Sequence, residues 1–339
     1  MSDYVRGRDQ MKQYASFGIL NSIVLFLLNM IFLVTLKLEL NGWIYSFLLS
    51  KFIIYIYIAF KIKIWKKFSF RYIDKNLISK MLKYSIPLIA ASSMWWVMNA
   101  SDRYTISYFL SNEQNGLYAV ANKLPAILSV FENVFYQAWE TTANKVIKNP
   151  DKDEVLSDVF NKYFKFLSIG ILGLLIILKP LISLLFEKNY IDAWKCSGIL
   201  VICVGAHALA GNLGTIYGVL KKTNGAFLTA LFGAIVNIVL NIIFIPKYGI
   251  ITAAYTTFVG YSCVLIIRLI DIKKFVKITL NWKDTIVYII LISIQSILYF
   301  ELDIYSYCIR ILIFVITIII NRKELGSIFK IRTKEKNVG

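Results

Sequence analysis

Ten long apolar runs divide this chain, at about 14–36, 42–60, 86–110, 116–140, 164–186, 196–219, 225–245, 250–268, 284–300 and 304–321. A hydrocarbon core of roughly 30 Å is crossed by about 20 apolar residues in a helix. Inside lipid no water is present to satisfy backbone N–H and C=O groups, so runs of this length close their hydrogen bonds locally, as helices. The pattern predicts an all-α polytopic membrane protein with about ten transmembrane helices. With 58% hydrophobic residues and a mean hydropathy of +0.64, an ordinary soluble domain is excluded.

The formal charge of +18 would fit a nucleic-acid partner if its 38 Lys and Arg formed one surface. Instead they fall between the apolar runs, and unevenly. One alternate set of segments (1–12, 61–84, 142–165, 221–222, 268–283 and 322–339) holds 29 of them, whereas the opposite set holds only Lys37, Lys188, Lys195 and Lys247. Such an asymmetry orients membrane proteins with their basic loops in the cytoplasm. It predicts cytoplasmic termini and leaves no case for nucleic acid. Cys196, Cys203, Cys263 and Cys308 lie in or beside apolar runs without CxxC spacing, so neither a disulfide framework nor a metal site is expected. No cofactor motif is visible.

An internal repeat organises the runs. "IVLFLLNMIFL" (Ile23 to Leu33) aligns with "IVNIVLNIIFI" (Ile235 to Ile245) at an offset of 212 residues, and Asn29 with Asn241 is the informative match. If runs 1 and 2 correspond to runs 7 and 8, runs 3 to 8 make one six-helix unit. Residues 1–63 are then the last third of a first lobe, 64–278 a complete second lobe, and 279–339 two additional helices with a basic tail. On this reading about four helices precede Met1 in the intact protein.

The stretch from Lys80 to Glu140 carries "LKYSIPL", a Trp pair, "SDRY", "GLYAVANKLP" and "FYQAW". These motifs resemble the polysaccharide biosynthesis proteins of the multidrug/oligosaccharidyl-lipid/polysaccharide superfamily, as do "LKPLISLLFEKNYIDAW" (Leu178 to Trp194) and "YGVLKKTN" (Tyr217 to Asn224). The resemblance implies two six-helix lobes around a central cavity and two further helices. The implied activity is flipping of a polyprenyl-pyrophosphate-linked O-antigen or capsule repeat unit across a bacterial inner membrane by alternating access. Its implied partners are the bilayer, the lipid-linked glycan and polysaccharide polymerase machinery. Alternatives are a multi-span glycosyltransferase or polymerase, a drug exporter of the same superfamily, and an inactive truncated remnant. No P-loop, zinc-protease or triad motif appears, so no catalytic residue is assigned.

Charges inside the runs then become the candidate site. Asn99, Asp102 and Arg103 share a helical face, and at 1.5 Å per residue Arg103 and Lys123 lie roughly 12 and 10 Å from the hairpin joining their helices. Asp102 is expected to form a structural ion pair with Lys123 or Arg103. One acid against two bases leaves a cation for a pyrophosphate, by the fork of Arg or the point charge of Lys. Lys51 adds a third cation at similar depth, or snorkels. The candidate substrate-binding set is thus Arg103, Lys123, Lys51 and Asn99. Ser129, Glu132, Asn133, Tyr136, Gln137 and Glu140 form a polar stripe that lines water or another helix. Within it, Glu132 is the candidate for proton or sodium coupling, with interhelical hydrogen bonding as the alternative. His207 reads as a packed, hydrogen-bonded histidine.

Overall fold

A computed structural model describes residues 4–5, 10–63, 65, 74–301 and 303–334, and the ten apolar runs are mainly helical in it. Eleven α-helices result: α1 (Met11–Asn29), α2 (Glu39–Ile62), α3 (Lys75–Phe109), α4 (Asn112–Ala121), α5 (Ala126–Val146), α6 (Lys152–Leu185), α7 (Ala193–Val219), α8 (Thr223–Tyr248), α9 (Ile251–Asp271), α10 (Trp282–Phe300) and α11 (Ile304–Lys334). No strand occurs among the described residues. Among the described residues, eight helical stretches are long and apolar enough to cross a membrane. The two runs outside that set, 86–110 and 116–140, carry Asn99, Asp102, Arg103 and the polar stripe that includes Glu132.

The fourth run is not one helix. Residues 122–125 form a turn between α4 and α5, where Pro125 has no N–H to continue the helical ladder. Pro180, in contrast, sits within α6, which runs through it.

The chain divides into two compact units, Met1–Ile78 and Ser79–Gly339. In the first, α1 packs on α2 through Phe17, Ile54 and Ile58, and the Phe17 and Tyr57 rings meet edge to face at 6.1 Å. Most of the apolar surface of α1 stays exposed, with only 6% of its most hydrophobic window buried. Such a surface suits lipid or another helix rather than water.

The second unit is built around α7, 72% of whose hydrophobic window is buried. Small residues let its neighbours come close: a Cβ on Gly198 would lie 2.5 Å from the Tyr299 ring of α10. That ring is fixed by its hydroxyl, which donates to the Trp194 carbonyl at 2.7 Å. The last two helices are tied to α6 by buried polar groups. Gln295 donates to the Leu172 carbonyl at 2.8 Å, and Arg310 to the Leu175 carbonyl at 3.2 Å. Bonds of this kind count where water cannot compete. The segment between α9 and α10 is held on α6 by Asn161, which donates to the Thr279 carbonyl at 2.9 Å and accepts from the Asn281 amide at 3.0 Å.

Candidate functional site

A cavity of about 260 Å³ opens between α3, the α4–α5 break, α5, α7 and α9. Its chemistry comes mainly from Asn99, Asp102, Arg103, Glu132, His207 and Tyr261.

Asp102 is only 2% exposed, and every partner of its carboxylate is neutral. Oδ2 accepts from the Tyr118 hydroxyl at 2.9 Å and the Thr257 hydroxyl at 2.6 Å. Oδ1 accepts from Asn241 at 2.7 Å and Asn237 at 3.3 Å. A second layer holds these donors: Ser101 donates to the Asn237 carbonyl at 2.7 Å, and the Thr256 hydroxyl donates to the Asn241 side-chain carbonyl. Four donors match the acceptor capacity of a carboxylate. They join α3 to α4, α8 and α9.

The expected ion pair of Asp102 with Arg103 or Lys123 is therefore corrected to a neutral cradle. The reason is azimuth: successive helical residues differ by about 100°. Asp102 points among α8 and α9 while Arg103 points into the cavity. Lys123 falls in the 122–125 turn, exposed, and does not line the cavity although Asn122 and Pro125 on either side do. Neither the Arg103 nor the Lys123 side chain has a hydrogen-bonding or ion-pair partner among the described residues. Asn99 donates its amide to the Trp95 carbonyl at 2.9 Å, which leaves its side-chain carbonyl for the cavity. Lys51 belongs to the first unit, where its ammonium stands 5.6 Å from the Phe47 ring centroid.

Glu132 finds a partner that its sequence neighbourhood could not reveal. Its Oε1 shares a 2.6 Å hydrogen bond with His207 Nδ1 of α7, and the carboxylate side chain is 12% exposed. The imidazole lies against Trp95, with centroids 4.6 Å apart and planes at 80°, and against Tyr261 at 5.2 Å. Packing fixes both members of the pair at the cavity wall. Ser129 and Asn133 of the same stripe also line it.

One residue escaped the sequence reading. Arg268, grouped there with the loop cations, is 2% exposed. Its guanidinium donates to the carbonyls of Ala210 at 2.6 Å and Ala226 at 3.1 Å, and to the Thr229 hydroxyl at 3.0 Å. It also lies 5.5 Å from the Trp95 ring centroid. Space for it comes from Gly214, where a Cβ would stand 2.5 Å from a guanidinium nitrogen. The nearby small residues of α7 were the available signal, but they read equally well as a helix-packing surface.

Fold and cavity together define a class: a polytopic helical membrane protein with a polar cavity inside its second unit. Residues 1–139 match the family model described as polysaccharide biosynthesis protein. That match takes in all but the last residue of the Lys80 to Glu140 stretch that carries the motifs. An uncharacterized membrane protein of Methanocaldococcus jannaschii is 28% identical over 315 residues, covering 85% of this chain and 59% of that protein. Among solved structures, the lipid II flippase MurJ in an inward closed conformation is similar with a TM-score of 0.64 and 19% identity, covering 90% of this chain and 67% of that one. That likeness concerns the fold. The chain spans about three fifths of the length of its archaeal relative.

Proposed function

We propose that this chain is part of a transporter that flips a polyprenyl-pyrophosphate-linked oligosaccharide, such as an O-antigen or capsule repeat unit, from the cytoplasmic to the outer leaflet. The observation that carries the reading is which charged groups of the cavity wall have hydrogen-bonding partners. Its two acids are engaged, Asp102 by four neutral donors and Glu132 by His207, while Arg103 lines the same space with no partner among the described residues. A guanidinium without a partner on the cavity wall attracts a diphosphate through paired charge-assisted hydrogen bonds. The Asn99 carbonyl offers sugar hydroxyls an acceptor, and Tyr261 on the cavity wall offers a sugar ring an aromatic neighbour.

Lys123, exposed in the turn beside the cavity, contributes on this reading through its field rather than by contact. The Glu132–His207 pair is the candidate coupling element, since a carboxylate and an imidazole sharing one hydrogen bond can hold or release a proton at the cavity wall. No bond in the substrate is made or broken, so no catalytic residue is required.

The test is reconstitution of the protein in vesicles with a fluorescent polyprenyl-diphosphate glycan, scored by accessibility of the sugar to an outside reagent. Arg103→Ala is expected to lower the flipping rate about tenfold or more, the loss of one charged hydrogen bond. Lys123→Ala is expected to do less. Unchanged flipping in Arg103→Ala, with the protein folded, rejects the anion-binding role.

A further inference from the structure

Away from the cavity, a second recess of about 400 Å³ lies where the start of α3, the turn between α7 and α8 and the end of α9 come together. Lys80 and Lys83 enter it from α3, and Lys221 and Lys222 from the turn. All four are exposed, and their ammonium groups make no hydrogen bond or ion pair among the described residues. The acid that lines this recess, Asp271, is already engaged. It pairs with Lys274 at 2.7 Å and accepts from the Tyr217 hydroxyl at 2.8 Å. Four uncompensated cations facing one concave space repel each other, and an anion placed among them relieves that repulsion.

The depth of the recess says which anion. Lys80 and Lys83 precede Ile86 and Ile89, which are 58% and 63% exposed on the apolar run at 86–110. The lysines therefore sit at the boundary between hydrocarbon and water, where lipid phosphates lie and where long basic side chains reach out from apolar helices. Their loops belong to the lysine-rich set of segments. Lys221 is held at φ 57°, a left-handed backbone costing roughly 1 kcal/mol or more for a residue with a Cβ. Thr223 to Gly225 at the back of the recess are the first residues of α8, and a helix N-terminus adds to the positive potential.

We propose that this recess binds the phosphate group of an anionic lipid headgroup. Tyr84 and Phe275 supply apolar walls for the adjoining glycerol and chain ends. This rests on the recess alone and does not depend on what the cavity carries.

Native mass spectrometry of the full chain released from detergent, titrated with phosphatidylglycerol or phosphatidylcholine, tests it. The unmodified protein is expected to retain phosphatidylglycerol preferentially. The variant K80Q/K83Q/K221Q/K222Q is expected to lower that retention at least about fivefold, the loss expected for even one interfacial lysine. Replacing the same four by arginine is expected to keep it. A control that removes equal charge elsewhere in the lysine-rich set, K145Q/K148Q/K152Q/K283Q, takes no lysine from the recess and is expected to lower retention clearly less than the recess variant does. Should the fourfold Gln variant fail to fold, K80Q/K83Q and K221Q/K222Q are read separately, each expected to lower retention. Unchanged retention in the recess variants, or an equal loss in the control, overturns the proposal. Inorganic pyrophosphate is the second arm. If it displaces the lipid, the recess recognises phosphate from either source; if it does not, recognition needs a headgroup held in the membrane. Both results support a phosphate site.

Discussion

Helices α1 and α8 carry the same repeat, with Asn29 matching Asn241 at an offset of 212 residues, yet the two asparagines live differently. Asn241 is fully buried and contacts Asp102, Ser101, Asn237 and Thr256. The side-chain oxygen of Asn29 is buried without a hydrogen-bond partner, as is that of Asn21 on the same helix. Neighbours make the difference. In the second unit α8 faces an acid from α3 and hydroxyls from α9, whereas the first unit offers α1 chiefly α2. Where Asn237 stands in α8, the repeat places Leu25 in α1. An amide inside a membrane protein is thus a tie only where another helix brings its complement.

The contrast can be broken experimentally, beginning with the largest effect. Asp102→Ala leaves four buried donors unmatched and is expected to destabilise the second unit by about 3 kcal/mol or more, measured as thermal unfolding in detergent. A smaller loss than that of Asn241→Leu would show that the acid is not the centre of the network. Next, Gly233→Ala on α8 is expected to cost about 2 kcal/mol by overpacking, because its Cβ would run into the Val264 side chain and lie 3.0 Å from the Gly260 carbonyl. Asn241→Leu should cost about 1 to 2 kcal/mol, while Asn29→Leu should stay within roughly 0.5 kcal/mol of the parent. Equal losses at the two sites would erase the distinction between the helices. The smallest shift belongs to Gly18→Ala on α1, which meets nothing within 4 Å and should gain roughly 0.5 kcal/mol from helix propensity. A loss there would reveal a neighbour on that face.

Much of the architecture was legible in the residues. Run length and loop charge predicted the helices, and the resemblance between Lys80 and Glu140 pointed to the family matched over residues 1–139. Polar residues within runs 3 and 4 marked the cavity before any geometry existed, because uncompensated polarity in lipid needs a wet or bonded surface. Partner choice was not legible to the same degree. Asp102 was expected to take a base close in sequence, yet Thr257 is 155 positions away and Asn241 is 139. Glu132 and His207 stand 75 apart, with no spacing to pair them. Arg268 looked like a loop cation because it sits at the end of an apolar run, and only packing against α7 and α8 turned it inward.

For this chain, apolar length determined the helices, since a bilayer leaves few ways to satisfy a backbone. Tertiary structure alone decided which charges are spent and which remain free. A step of one residue turns a side chain by about 100°, so Asp102 and Arg103 part company within a single peptide unit. Where each then lands depends on helices supplied by distant stretches of chain.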